Sequence, residues 1–96
     1  MELDYKGISK VLKALSDPKR LRIIYLLAQQ KMGASALLPY FNISQPTLSH
    51  DMRILQESGL VIEERIGKNV NYELDPKAVA NLITVLQELT CQQEDR

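Results

Sequence analysis

A mainly α-helical domain with one small β-hairpin is the fold class that this 96-residue chain predicts, and three features of the sequence predict it. Apolar residues recur at helical spacing in an opening segment (Tyr5, Ile8, Val11, Leu12, Leu15) and again in a closing one (Val79, Leu82, Ile83, Leu86, Leu89). A central segment is bracketed by a capping residue, Ser44, and a stop, Gly59, around the apolar stripe Leu48, Met52 and Leu55. Directly after it, Val61 to Arg65 and Val70 to Leu74 carry strand-forming residues on either side of Gly67-Lys68-Asn69, a spacing that favours a hairpin over a crossover.

The first helix is expected over about residues 3–15, with Lys6, Lys10 and Lys13 off its apolar stripe. Ser16-Asp17-Pro18 then punctuates the chain, because Asp or Ser caps free amides and Pro is tolerated at a first helical position that needs no donor. A second helix runs through Leu21, Ile23, Ile24, Leu26 and Leu27 until Gly33 breaks it. A short third helix is expected from Ser35 to Phe41, with Leu37, Leu38 and Phe41 turned inward. Asn42 in the left-handed conformation would supply the next sharp turn. A fourth helix follows near residues 44–58, then a hairpin near 62–73. Asp75-Pro76 repeats the cap-plus-proline device and opens a last helix over about 76–91, leaving Gln92 to Arg96 as a loose end.

In that order the elements make a winged helix-turn-helix in a single domain, residues 1–96. A helix with a polar outer face beside a basic hairpin suits contact with a major groove and the flanking backbone of double-stranded DNA. The terminal helices each carry an apolar face beyond what the central unit requires, and a chain this short rarely buries two extra stripes alone. They are expected to form a homodimer seam from Tyr5, Ile8 and Leu12 with Leu82, Ile83, Leu86 and Leu89. A two-fold dimer would hold two reading helices about one turn of DNA apart and favour an inverted-repeat site. The other reading of these stripes is that they roof their own monomer.

Composition narrows the function classes. Twelve Lys plus Arg balance twelve Asp plus Glu, so the molecule has no large positive field and any DNA binding rests on local charge. No apolar run is long enough for a membrane span, and the opening residues lack the layout of a secretory signal, which places the protein in the cytoplasm. One cysteine, Cys91, excludes an intrachain disulfide framework. A single His on an exposed helix and a single Cys near the tail do not assemble a nucleophile with its base, so an enzyme is not expected.

Four blocks resemble the ArsR-type winged-helix repressors of bacteria: LKALSDPKRLRI from Leu12 to Ile23, ISQPTLSH from Ile43 to His50, LQESGLV from Leu55 to Val61, and RIGK from Arg65 to Lys68 followed by Tyr72. The resemblance spans nearly the whole chain and implies a dimeric repressor whose fourth helix enters the major groove. Gln45 is then the best base reader, because its amide can pair at two points with an adenine edge, and Thr47 and Ser49 are small donors or acceptors beside it. His50 bonds a base or a phosphate, Arg53 one turn on meets the backbone, and Arg65, Lys68 and Asn69 do the same from the wing. Ser44 joins this set chiefly as the helix cap, and for Arg65 and Lys68 the ordinary alternative is a solvated hairpin charge. Asp51 and the pair Glu63-Glu64 depart from a phosphate-facing surface, and either they turn away or affinity is modest.

Members that sense soft metal ions carry Cys-x-Cys at the start of the third helix, where this chain has Gly33-Ala34-Ser35. A zinc site on the last helix would fall on Pro76, Ala78, Leu89 and Gln92, or one residue over on Asp75, Lys77, Glu88 and Cys91, and neither set suits tetrahedral zinc. No metal or cofactor is therefore expected. Cys91, at a helix C-terminus in a chain with no second cysteine to resolve it, reads as a bystander more than a redox sensor. An unknown small-molecule or protein effector stays open, as does repression without a signal. The alternative function is a winged-helix protein-interaction module, which would need an apolar outer face on the fourth helix.

Overall fold

Each long helix starts on the cap that its sequence supplies. The computed structural model describes residues 2–91. Helix α1 (Tyr5–Ala14) begins with the Asp4 carboxylate accepting from the Gly7 N–H at 3.0 Å. Helix α2 (Pro18–Gln29) has Asp17 accepting from the Arg20 N–H at 3.2 Å. After strand β1 (Met32–Gly33), helix α3 (Ala34–Leu37) and a 3-10 turn (Leu38–Tyr40), helix α4 (Gln45–Glu57) starts with Ser44 Oγ accepting from the Thr47 N–H at 3.3 Å. Strands β2 (Val61–Ile66) and β3 (Asn69–Leu74) lead to helix α5 (Pro76–Thr90), capped by Asp75, which accepts from the Lys77 N–H at 3.0 Å. Every such contact satisfies an amide that the helix leaves free, and Pro18, Pro46 and Pro76 sit in first turns where no donor is missed.

Three sequence expectations give way here. The third helix does not run from Ser35 to Phe41: it stops at Leu37, and the next turn tightens to 3-10, closing with the Phe41 N–H to Leu38 O at 3.0 Å. Pro39 is the reason, since it has no N–H to donate and its ring crowds the carbonyl of Ser35. Asn42 is not left-handed: among the described residues only glycines have positive φ, and the reversal starts from an extended Phe41 at φ −131°. Gly33 is not what ends α2, which stops at Gln29 with Gln30 extended. Gly33 instead lies in β1, opposite Asn71 of β3, where a Cβ would come within 2.9 Å of the Val70 carbonyl oxygen. The glycine lets two backbones approach.

The hairpin is thus part of a three-stranded antiparallel sheet in the order β1-β3-β2. Registers Met32↔Tyr72 and Val61↔Leu74 put these four side chains on one face, toward the helices. Gly67, at φ 64°, occupies the first position of a two-residue turn with Lys68, the glycine-first pattern of a type II′ hairpin. Gly59, at φ 85°, reverses the chain after α4 as the sequence predicts.

The core gathers Ile23 and Leu27 of α2, Met32, Leu37, the α4 stripe Leu48, Met52 and Leu55, and Leu60 and Val61. Helix α5 contributes no fully buried residue, although Val79 and Leu82 pack against this core. Tyr5, Leu12, Ile83, Leu86 and Leu89 stay exposed, Tyr5 to 69% and Ile83 to 53%. Between α1 and α5 lies a cavity of about 350 Å³ lined in part by Ile8, Val11, Leu82 and Val85. The single chain measures 55 × 25 × 22 Å, elongated for its mass. No helix of the described residues is long and apolar enough to cross a membrane.

Candidate nucleic-acid interface

Helix α4 has two distinct faces. Leu48, Asp51, Met52 and Leu55 recur at the spacing of one helical stripe and are buried, which turns Gln45, Ser49, His50 and Arg53 outward into solvent. The exposed set is polar throughout, and it carries amide, hydroxyl, imidazole and guanidinium groups, the kinds of side chain with which proteins pair base edges and phosphates. Gln45 leads the helix at its first position. Ser44 and Thr47 occupy one another: besides the capping bond, Ser44 Oγ lies 3.0 Å from Thr47 Oγ1. Ser44 is a cap first, and its oxygen is already engaged.

The wing does not present its charges equally. Glu63 has two partners: Gln56 Nε2 donates to its Oε1 at 2.9 Å, and Arg65 forms an ion pair with it, Nε 2.8 Å from Oε2. The first bond fastens the wing to the last turn of α4, and the second partly neutralises Arg65. Glu64, on the opposite face of β2, accepts from Lys31 Nζ at 3.2 Å, a contact that raises the ammonium pKa above its ordinary value. Burial raises Tyr72 as well, which keeps its phenol neutral on the inner face of β3. Lys68 and Asn69 stand exposed at the turn, and Lys68 forms no ion pair with a carboxylate among the described residues. From Gln45 to Gln56, where the wing is attached, α4 advances by roughly 16 Å.

The three carboxylates that depart from a phosphate-facing surface each have a partner. Asp51 turns inward, 2% exposed, onto Arg20 Nη1 at 3.0 Å and Lys19 Nζ at 3.2 Å. Sequence reasoning assigns no role to Arg20 or Lys19, yet a signal exists. Asp51 falls inside the buried stripe of α4, three residues after Leu48 and four before Leu55, and a carboxylate there needs cationic partners. Arg22 escapes sequence reasoning too. It donates to Tyr40 O at 2.9 Å and lies over the Tyr40 and Phe41 rings at 5.8 and 5.3 Å, holding the 3-10 turn that leads into α4.

The seam candidates separate into two groups. Tyr5, Leu12, Ile83, Leu86 and Leu89 are exposed, whereas Ile8 and Leu82 are half-buried between α1 and α5. Cys91 is exposed at the C-cap of α5, and Gln92, the last position of the first zinc register, lies outside the described residues. Gly33, Ala34 and Ser35 span the end of β1 and the start of α3 without a thiol or imidazole among them.

Known proteins agree with this geometry. Residues 17–63, from the cap of α2 into β2, match the family described as bacterial regulatory protein, arsR family. The arsenical resistance operon repressor of Staphylococcus xylosus is 44% identical over 73 residues, covering 76% of this chain and 70% of that one. The biofilm growth-associated repressor of Xylella fastidiosa is 34% identical over 94 residues, covering 98% and 82%. Among solved structures, the homodimeric winged helix-turn-helix DNA-binding domain Mb0332 from Mycobacterium bovis superposes with a TM-score of 0.74 at 29% identity, covering 88% of this chain and 79% of that one. The chain belongs to the arsR family of bacterial regulatory proteins, DNA-binding transcriptional regulators, not enzymes, built on a winged helix-turn-helix.

Proposed function

We propose that this protein is a homodimeric transcriptional repressor that binds an inverted-repeat operator, reading base edges with α4 and holding phosphates with the wing. One observation carries the proposal: α4 buries one stripe completely and turns the polar and cationic side chains Gln45, Ser49, His50 and Arg53 to solvent. A peptide-binding groove would need apolar side chains there. In this reading Gln45 is the principal base reader, with Thr47, Ser49 and His50 beside it. Arg53, Lys68 and Asn69 hold the backbone, Arg65 contributes less because Glu63 offsets its charge, and Ser44 sets the start of the helix.

The homodimer is supported by what the single chain leaves uncovered. Helix α5 has no fully buried residue, and Tyr5, Leu12, Ile83, Leu86 and Leu89 leave a large apolar area in water that a second copy would cover. The homodimeric relative makes the same assembly reasonable here. With α1 and α5 at a two-fold seam, two α4 helices meet successive major grooves about 34 Å apart.

Selection of duplexes from a random pool by the purified protein tests the reading. The expected product is one enriched inverted repeat, bound by two chains in sedimentation of the complex. Failure to enrich any sequence, or enrichment of a single half-site bound by one chain, contradicts it.

A further inference from the structure

Asp51 is the one buried carboxylate among the described residues, and it sits on the reading helix. Arg20 reaches it with a forked grip. Its Nη1 donates to Asp51 Oδ1 at 3.0 Å, its Nε donates to Ala14 O at 2.7 Å, and its Nη2 donates to Lys13 O at 3.4 Å. Asp51 Oδ2 accepts no well-aligned hydrogen bond and is held by charge, from Lys19 Nζ at 3.2 Å. Lys19 is itself tied to Asp17 at 3.2 Å, and its contacts with Asp17 and then Asp51 keep the ammonium pKa above the ordinary lysine value. The carbonyls of Lys13 and Ala14 belong to the last turn of α1, where a helix leaves acceptors open. One guanidinium therefore spans from the end of α1 to the inner face of α4.

A buried ion pair contributes little net stability, and its best-attested use is to select one arrangement among several of similar energy. Here the arrangement is rotational. Asp51 is flanked in sequence by Ser49, His50 and Arg53, so fixing its direction fixes theirs on the opposite face. With side-chain tips at a radius of about 5–6 Å, a helix rotation of about 20° moves them by about 2 Å. That displacement breaks a two-point base contact yet leaves a cation within reach of a phosphate.

We propose that Arg20 is a positioning residue for DNA reading: it joins the C-terminal end of α1 to Asp51 and so sets the rotation of α4 about its own axis relative to the dimer seam. The inference rests on the DNA-binding reading above. Lysine cannot replace the arginine, because a single ammonium lacks the planar fork that serves the α1 carbonyl and the carboxylate together.

The test uses the full chain, the duplex that the wild-type protein enriches from a random pool, and a scrambled duplex of equal length. Two variants are titrated by fluorescence anisotropy, Arg20→Lys and the double variant Arg20→Met/Asp51→Leu, which removes both charges together and leaves none unpaired. Both should lower discrimination between the duplexes at least about fivefold, while affinity for the scrambled duplex stays within about twofold and its salt slope is unchanged. A purely structural role would move both duplexes together, in step with the folded fraction read by circular dichroism. A smaller fall in discrimination, or equal loss on both duplexes, overturns the proposal. If the double variant does not fold, Arg20→Lys decides alone. A wild-type protein that enriches no duplex removes the DNA-binding reading itself, an outcome visible before any variant is made.

Discussion

Replacing Lys68 with Gln should flatten the salt dependence of DNA binding, whereas Arg65→Gln should barely change it. The two cations lie three residues apart on one wing, but Arg65 Nε is 2.8 Å from the Glu63 carboxylate, which Gln56 also anchors, and Lys68 has no such partner among the described residues. Removing one phosphate contact lowers the slope of log K against log salt by about 0.9, so a dimer deprived of one on each wing falls by about 1.8. Between 50 and 200 mM salt, a slope difference of about 1.8 amounts to roughly a 12-fold difference in how much affinity falls. While Arg65 is held on Glu63 it neutralises no phosphate and releases no counterion, so its removal leaves the slope nearly as it was. The same logic requires Glu63→Gln to steepen the slope, by up to about 1.8 in the dimer, because Arg65 then acts at full charge. Anisotropy titrations over a potassium chloride series measure all three. Equal flattening by Arg65→Gln and Lys68→Gln would show that the Glu63 contact does not offset Arg65 on DNA, and the charge argument for the wing would fail.

Four further substitutions probe the other parts. Leu86→Glu should convert the dimer to monomer in sedimentation and abolish tight operator binding, lowering the melting temperature only by the stabilisation that association supplies, because Leu86 lies outside the core; Leu82→Glu should lower it further, since Leu82 also packs on its own core. Gln45→Ala should cost about 1–3 kcal/mol at one base pair and relax preference there, a pattern visible when single-base operator variants are titrated in parallel. Gly59→Ala should destabilise the fold by about 1–2 kcal/mol from backbone strain alone, since φ is 85° and a Cβ there meets nothing within 4 Å. In a domain of this size that is a fall in melting temperature of about 4–8 °C per kcal/mol, measurable by calorimetry.

Local chemistry made most of the fold legible. Asp17, Ser44 and Asp75 cap the helices whose starts they predict, Gly59 takes the positive φ expected of a stop, and the stripe Leu48, Met52 and Leu55 is buried as its period requires. What escaped depends on partners distant in sequence. Strand β1 is two residues long, too short for any alternation to show, and exists because Gly33 lets it approach β3 nearly forty positions later. Asn42 suggested a left-handed turn because its side chain tolerates one, but the backbone had a less strained route through ordinary bends. The outward residues of α4 followed from helical period, while the unequal standing of Arg65 and Lys68 did not. It is set by Gln56 and Glu63, seven positions apart and brought together by the turn at Gly59.

The place of β2 in the sheet gives the wing's carboxylates a second significance. With the order β1-β3-β2, its outer side is an open row of amides and carbonyls, the kind of border along which two copies add strand to strand. Ile62 and Ile66 stand exposed on it and would favour such stacking, but the charged side chains Glu63, Glu64 and Arg65 lie between them, and burying charges at such a border disfavours pairing. Affinity for DNA and resistance to self-association therefore pull in opposite directions at the same residues. If the wing holds DNA as proposed, relieving it of its acids should strengthen its grip on a duplex and also make it stickier toward its own kind.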